Sequence, residues 1–184
     1  MPPLNLNLRL NNNMFESISM RQLPCAVKNC LILSLACCAL NLHAQGLLDN
    51  PDWQETTAPA PPKFDARGLV SVDMPPYVSM KFGIDPATIF VTPDGIVRYV
   101  MVAISPGGSV NAFFEGIRCA TGEVKSYARA SADGLWTLVK EPEWRGLNDK
   151  QPSKHALALA RQGVCEGNTA AGSPAEILRK LKAK

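Results

Sequence analysis

The sequence predicts an α+β fold: an antiparallel meander sheet with two C-terminal helices packed on it and one disulfide. Three observations lead there. Residues 96–131 read IVRYVMVAIS, PGG, SVNAFFEGIRC, ATG and EVKSYARAS, which is three strand-like runs separated by two short turn signals. Residues 153–182 carry two helix patterns, each with its own start signal. Outside the N-terminal leader described below, the cysteines are Cys119, at a corner of the meander, and Cys165, just past the first helix.

Composition limits the function classes before any motif is sought. The chain has 184 residues, 46% hydrophobic and 19% charged, which suits one domain plus extensions. Its formal charge is +3, but three of the 19 basic residues (Arg9, Arg21, Lys28) and only one of the 16 acidic ones (Glu16) precede Gln45. The remainder is close to neutral. Nucleic-acid binding draws its affinity from phosphate contacts and needs a basic excess, so that class is disfavoured. Arg179, Lys180, Lys182 and Lys184 instead suit the C-terminal end of a helix, where cations offset the dipole.

Residues 1–44 read as a signal peptide. Leu31–Leu40 (LILSLACCAL) is an apolar run preceded by Arg21 and Lys28 and followed by Leu42-His43-Ala44. It is too short for the ~20 residues that span a bilayer, but it matches the core of a secretory leader. Counted from Met1 the leader exceeds the usual ~15–30 residues, whereas counted from Met20 it fits, so the expected start is Met20 or Met14. A second reading of the same run makes Cys38 a lipid-attachment site, which would tie the mature chain to an envelope membrane. Otherwise the expected location is the periplasm or beyond, with no transmembrane span in the mature chain.

Residues 45–68 contain Pro51, Pro59, Pro61 and Pro62 and little periodicity. They read as an extended tether with Trp53 and Phe64 able to dock on the domain that occupies 69–184. Within that domain, Leu69–Asp73 and Val78–Ile84 are short strands. Asp85-Pro86-Ala87-Thr88 is one helical turn with an Asp cap and Pro at its first position. Ile89-Phe90-Val91 is apolar, and Pro93-Asp94-Gly95 turns into the meander. Ile96–Ser105 is apolar on both faces except at Arg98, as in a strand covered on both sides. Gly116, inside the second strand, marks a bulge or a close backbone approach. Ala132-Asp133-Gly134 turns into a further run, Leu135–Val139. Ser153–Gln162 forms the first helix, with Ser153 as cap and Gly163 as exit. Ser173-Pro174-Ala175-Glu176 is a capping box with Pro at N1, opening a second helix that packs through Ile177, Leu178 and Leu181.

Two cysteines in an exported chain read as one disulfide, Cys119–Cys165. A turn at 106–108 is expected to set Arg98 opposite Glu115, and the next turn to bring Tyr127 and Arg129 beside them. With Arg118 these are the candidate binding residues, forming an ion-pair network or an anion site. Known chemistry is otherwise sparse. No GxSxG, HExxH or GxGxxG is present, no metal-ligand spacing appears, and no cofactor is implied. His155, near a helix start, reads as a surface or cap-side histidine.

FFEGIRCATGE (Phe113–Glu123) resembles a block of the cryptic neisserial protein-like (CNP-like) family of proteobacterial envelope proteins. The likeness extends back through DGIVRYVMVAISPGG and forward through ADGLW, PEW and the helix ending at Cys165, over roughly residues 69–182. It implies an exported domain and carries over no catalytic residues. Its matching positions, Arg98, Glu115, Gly116, Arg118, Cys119, Trp136, Trp144 and Cys165, are expected to shape the fold. The expected function is therefore a non-enzymatic envelope module that binds an envelope partner or a small ligand. The alternative is a periplasmic enzyme working through Arg98, Glu115 and Arg118.

Overall fold

A computed structural model describes residues 52–183. The expected leader, the expected start and Cys38 lie outside the described residues. The central element is a long antiparallel meander of three nine-residue strands: β4 (Ile96–Ile104), β5 (Val110–Arg118) and β6 (Glu123–Ser131). On one side β2 (Lys81–Ile84) and then β1 (Val70–Val72) extend the sheet, and on the other β7 (Trp136–Leu138) closes it. Two-residue strands, β3 (Phe90–Val91) and β8 (Arg145–Gly146), pair with β4 and β6 respectively. A small second ladder joins β9 (Cys165–Glu166) to β10 (Thr169–Ala170).

Both faces of the sheet are covered, which explains why β4 is apolar in both phases. Val97, Tyr99, Met101 and Ala103 point into the larger core, with Ile117 and the helical residues Leu159, Ile177 and Leu181. Val100 and Val102 point the other way, into a smaller core with Phe114, Ala128 and Ala130. The elements covering the larger core are helix α1 (His155–Leu159), its widened continuation Ala160–Val164, and helix α2 (Pro174–Lys182). The continuation breaks helical geometry at Gly163, whose φ of 141° only glycine adopts readily. α2 begins with the capping box foreseen for it: Ser173 accepts from the Glu176 backbone N–H, and the Glu176 carboxylate accepts from the Ser173 backbone. Asp85 caps the short 3₁₀ turn Pro86–Thr88.

The smaller core is covered from outside the sheet. Ala58, Phe64 and Ala66, from the Pro-rich segment, pack on it beside Phe90 and Trp136. The Phe64 and Trp136 rings meet edge to face at 5.6 Å, and the Trp136 indole donates to the Pro62 carbonyl. This segment has no regular secondary structure, so its seat comes from individual side chains.

Cys119 and Cys165 are bonded, with Cα atoms 5.6 Å apart across 46 residues of chain. The bond ties the end of β5 to the exit of α1, as expected.

The cross-strand register corrects one expectation. Ile104 pairs with Val110, and counting inward sets Arg98 opposite Gly116 and Tyr99 opposite Glu115. The loop is where the turn signal put it, but the pairing drawn from it was one residue out. In a strand one residue is a change of face, so Arg98 and Glu115 lie on opposite sides of the sheet. A second irregularity compounds the first. Phe114 pairs with Ala128 but Glu115 pairs with Ser126, leaving Tyr127 as the extra residue of a bulge. Tyr127 therefore joins the smaller core rather than approaching Glu115. Gly116 marks the close approach: a Cβ there would lie 2.8 Å from both Ile96 Cγ2 and Tyr127 Oη.

Candidate functional site

The residues read as one cluster form two, one on each face. On the helix face, Glu115 is 3% exposed and its carboxylate has three polar partners. Its Oε2 accepts from Tyr99 Oη at 3.0 Å and meets His155 Nε2 at 2.9 Å, while Oε1 accepts from Ser126 Oγ at 2.9 Å. His155 Nδ1 lies 3.0 Å from Ser153 Oγ. The imidazole is stacked between Phe82 and Phe113, with centroids at 5.2 and 5.7 Å. A buried carboxylate needs such a set of partners, because desolvation otherwise favours its neutral form.

Electrostatics follow the geometry. Burial opposes charge on both groups, yet the mutual attraction of Glu115 and His155 outweighs it. The carboxyl is held below, and the imidazole above, their ordinary ranges. Burial and the adjacent Glu115 charge push the Tyr99 phenol well up, so it serves as a donor.

Ser153, His155 and Glu115 form a chain that resembles a nucleophile, base and acid. When protonated, the state that the Glu115 carboxylate favours, the imidazole donates from both nitrogens and has no lone pair for the Ser153 proton. The Ser153 hydroxyl also accepts from the His155 backbone N–H, at 3.3 Å, which is a helix-start contact.

Above this floor is a cavity of about 380 Å³, within the usual range for small-molecule sites. Its inner wall is Phe82, Ala103, Val124 and the stacked His155; Met80 and Phe113 line it further out, and residues of the segment 139–153 complete the lining. Charged side chains occur at its mouth: Arg129, Glu141, Glu143 and Arg145, all exposed. Among the described residues no group of three or more His, Cys, Asp or Glu is placed to hold a metal ion, and no helix is long and apolar enough to cross a membrane.

The opposite face holds Arg98, Arg118 and Lys125. Arg98 is fully buried and pairs with Asp94 at 3.3 Å and with Glu55 at 3.5 Å. The Glu55 carboxylate also accepts from Lys125 Nζ at 2.7 Å, Tyr127 Oη at 2.8 Å and Trp144 Nε1 at 3.1 Å. The Arg118 guanidinium lies 3.7 Å from the centre of the Trp53 ring, a close cation–π contact. Thr56 donates to Asp94 through both its backbone N–H and its hydroxyl. Those donors hold the Asp94 carboxyl far below the usual carboxylate range against the opposing effect of burial. Residues 53–64 thus form a strap whose acid fills a socket of four donors.

Sequence comparison places this arrangement. The model of the CNP1-like family matches residues 48–182. The chain belongs to the CNP1-like family. A CNP1-like relative, Cryptic neisserial protein 1 of Neisseria gonorrhoeae, is 28% identical over 149 residues, covering 71% of this chain and 72% of that protein. No solved structure matches. The CNP1-like match begins at residue 48 and so takes in the strap, whereas the resemblance read from the residues began near 69.

Of the five candidate binding residues, the CNP1-like fold puts Glu115 at the cavity floor and Arg129 at its mouth, and Arg98, Arg118 and Tyr127 on the strap face. Arg98 and Arg118 lie on the opposite face of the sheet from Glu115, so the three do not form one cluster. His155 was missed as a partner of Glu115. The signal was present in the apolar neighbours Ala156, Leu157 and Leu159, which put the start of α1 on the sheet. Trp53 docks as the sequence allowed, whereas Glu55 and Thr56 were missed because a Pro-rich segment has no periodicity to show which residues face inward.

Proposed function

We propose that this chain is an exported envelope protein whose body is a non-enzymatic binding module, and that it takes a small, largely apolar ligand beside segment 139–153. The observation that carries the binding reading is the cavity itself. Its walls are largely apolar, its exposed charges lie at the mouth, and the Glu115–His155 pair at its floor is already satisfied by Tyr99, Ser126 and Ser153. A pre-formed apolar recess with its polar groups paired suits retention of a ligand better than proton transfer to one.

Export is supported by the leader pattern at 1–44 and by the Cys119–Cys165 bond, since structural disulfides persist in oxidising compartments. Attachment through Cys38 is the alternative form of the same location. Fractionation of cells expressing the full chain, with thiol alkylation before lysis, tests this. Export predicts a shortened, unalkylated species in the periplasmic or membrane fraction, and an intact, alkylated cytosolic chain would refute it.

The binding reading is tested with Nile red, a neutral apolar dye, and the purified chain 45–184. Saturable one-to-one fluorescence enhancement is expected, and Val139→Trp, which fills the cavity from its half-buried rim, should abolish it. A linear, non-saturating response, or one indifferent to the tryptophan, would refute it.

A further inference from the structure

Arg129 occupies a position the floor and strap contacts do not explain. It sits mid-strand on β6, paired with Phe113 of β5 on one side and Thr137 of β7 on the other, so its backbone is held on both edges. Its side chain is exposed and, among the described residues, has no carboxylate partner. Together with Phe113 it lines both the apolar cavity and a second, shallower depression of about 480 Å³. That depression is polar, with Asn111, Ser131 and Thr137 along it. The two recesses therefore share one wall, made of an aromatic ring and a guanidinium. Passing outward, the surface changes from Phe82, Ala103 and Val124 to Phe113, then Arg129, then hydroxyl and amide groups.

From this gradient we infer that Arg129 anchors the head group of an anionic amphiphile whose apolar body fills the cavity. This rests on the binding reading above and names the class of ligand. A guanidinium offers paired donors to a carboxylate or a phosphate, and the neighbouring hydroxyls and amide supply further contacts to a polar head. The mouth also carries acids. Glu143 is offset by Arg145 at 4.0 Å, while Glu141 and Asp133 lie on the irregular segment and in the shallow depression. Arg129 alone among these charges projects from the middle of the sheet, at the junction where the head of a half-buried amphiphile must sit. The acids make a cationic amphiphile the informative counter-probe.

Displacement of Nile red from the chain 45–184 tests this, using decanoate, decyl phosphate, decanol and decyltrimethylammonium, each below its aggregation threshold. Decanoate or decyl phosphate should compete about tenfold more tightly than decanol, the range for one charge-assisted contact, and their ranking distinguishes a carboxylate from a phosphate head. Arg129→Gln, an exposed substitution checked by circular dichroism, should remove that advantage and leave decanol unchanged. Equal competition by decanol and decanoate, tighter competition by the ammonium, or an unaltered preference in Arg129→Gln would overturn the inference while Nile red binding still stands. Failure of Nile red itself to saturate would overturn both readings.

Discussion

His155 Nε2 lies 2.9 Å from Glu115 Oε2, and 40 residues of chain separate the two. This one contact joins the first turn of α1 to the middle of β5, and it forms the floor of the cavity. Because both partners are nearly enclosed, the pair stands or falls as a unit.

Removing one member should therefore be costly. Glu115→Gln leaves Tyr99, Ser126 and His155 without the charge they surround, and a loss of about 3–5 kcal/mol is expected. Urea denaturation at pH 6 measures it. A change below about 1 kcal/mol would mean the pair contributes nothing to folding.

The same contact predicts a pH profile. The His155 pKa is raised in the folded state from its ordinary 6.5, so its contribution is complete below that value and fades as pH rises through the folded one. The Glu115 pKa is lowered from its ordinary 4.5, so its contribution is complete above that value and fades as pH falls through the folded one. The pair stabilises most between these ordinary values, in mildly acid solution. Melting temperature should fall on either side in the native chain, and the alkaline decline should flatten in His155→Gln.

The strap predicts a local rather than global effect. Glu55→Gln keeps the shape of the side chain but removes the ion pairs to Arg98 and Lys125. Hydrogen exchange over residues 53–64 should quicken by tenfold or more while β4 to β6 stay protected. The Glu55 and Asp94 carboxyls are both held low, so their contribution, complete above the ordinary carboxylate range, is lost as pH falls through the folded values. Acid should loosen the strap in the native chain as well.

Reduction of Cys119–Cys165 releases a 46-residue loop. On the chain-entropy view the bond contributes about 4 kcal/mol. Denaturation with and without a reductant should differ by that order, and the double variant Cys119→Ala/Cys165→Ala should match the reduced form.

Gly116→Ala tests the crowded bulge. Its new methyl meets Ile96 and the hydroxyl of Tyr127, which itself binds Glu55. Overpacking of this kind costs about 1–3 kcal/mol. Gly107→Ala, whose nearest foreign atom is 3.9 Å away, is the control and should be close to neutral.

Taken alone, the amino-acid order determined the three meander strands, the turns between them, the Ser173–Glu176 capping box, the Cys119–Cys165 pair and the family. Each depends on patterns within a few residues or, for the disulfide, on Cys119 and Cys165 being the two cysteines that follow residue 44. Which face each charge occupies was decided only by the folded chain. A one-residue error in pairing moved Arg98 away from Glu115, and the bulge at Tyr127 broke the alternation a second time, because in a strand every added residue reverses the side chain's direction. The seats of His155 and Glu55 were likewise a tertiary matter. These partners, Glu115 for His155 and the four donors for Glu55, lie 40 to 89 residues away, and no local periodicity encodes a contact at that distance.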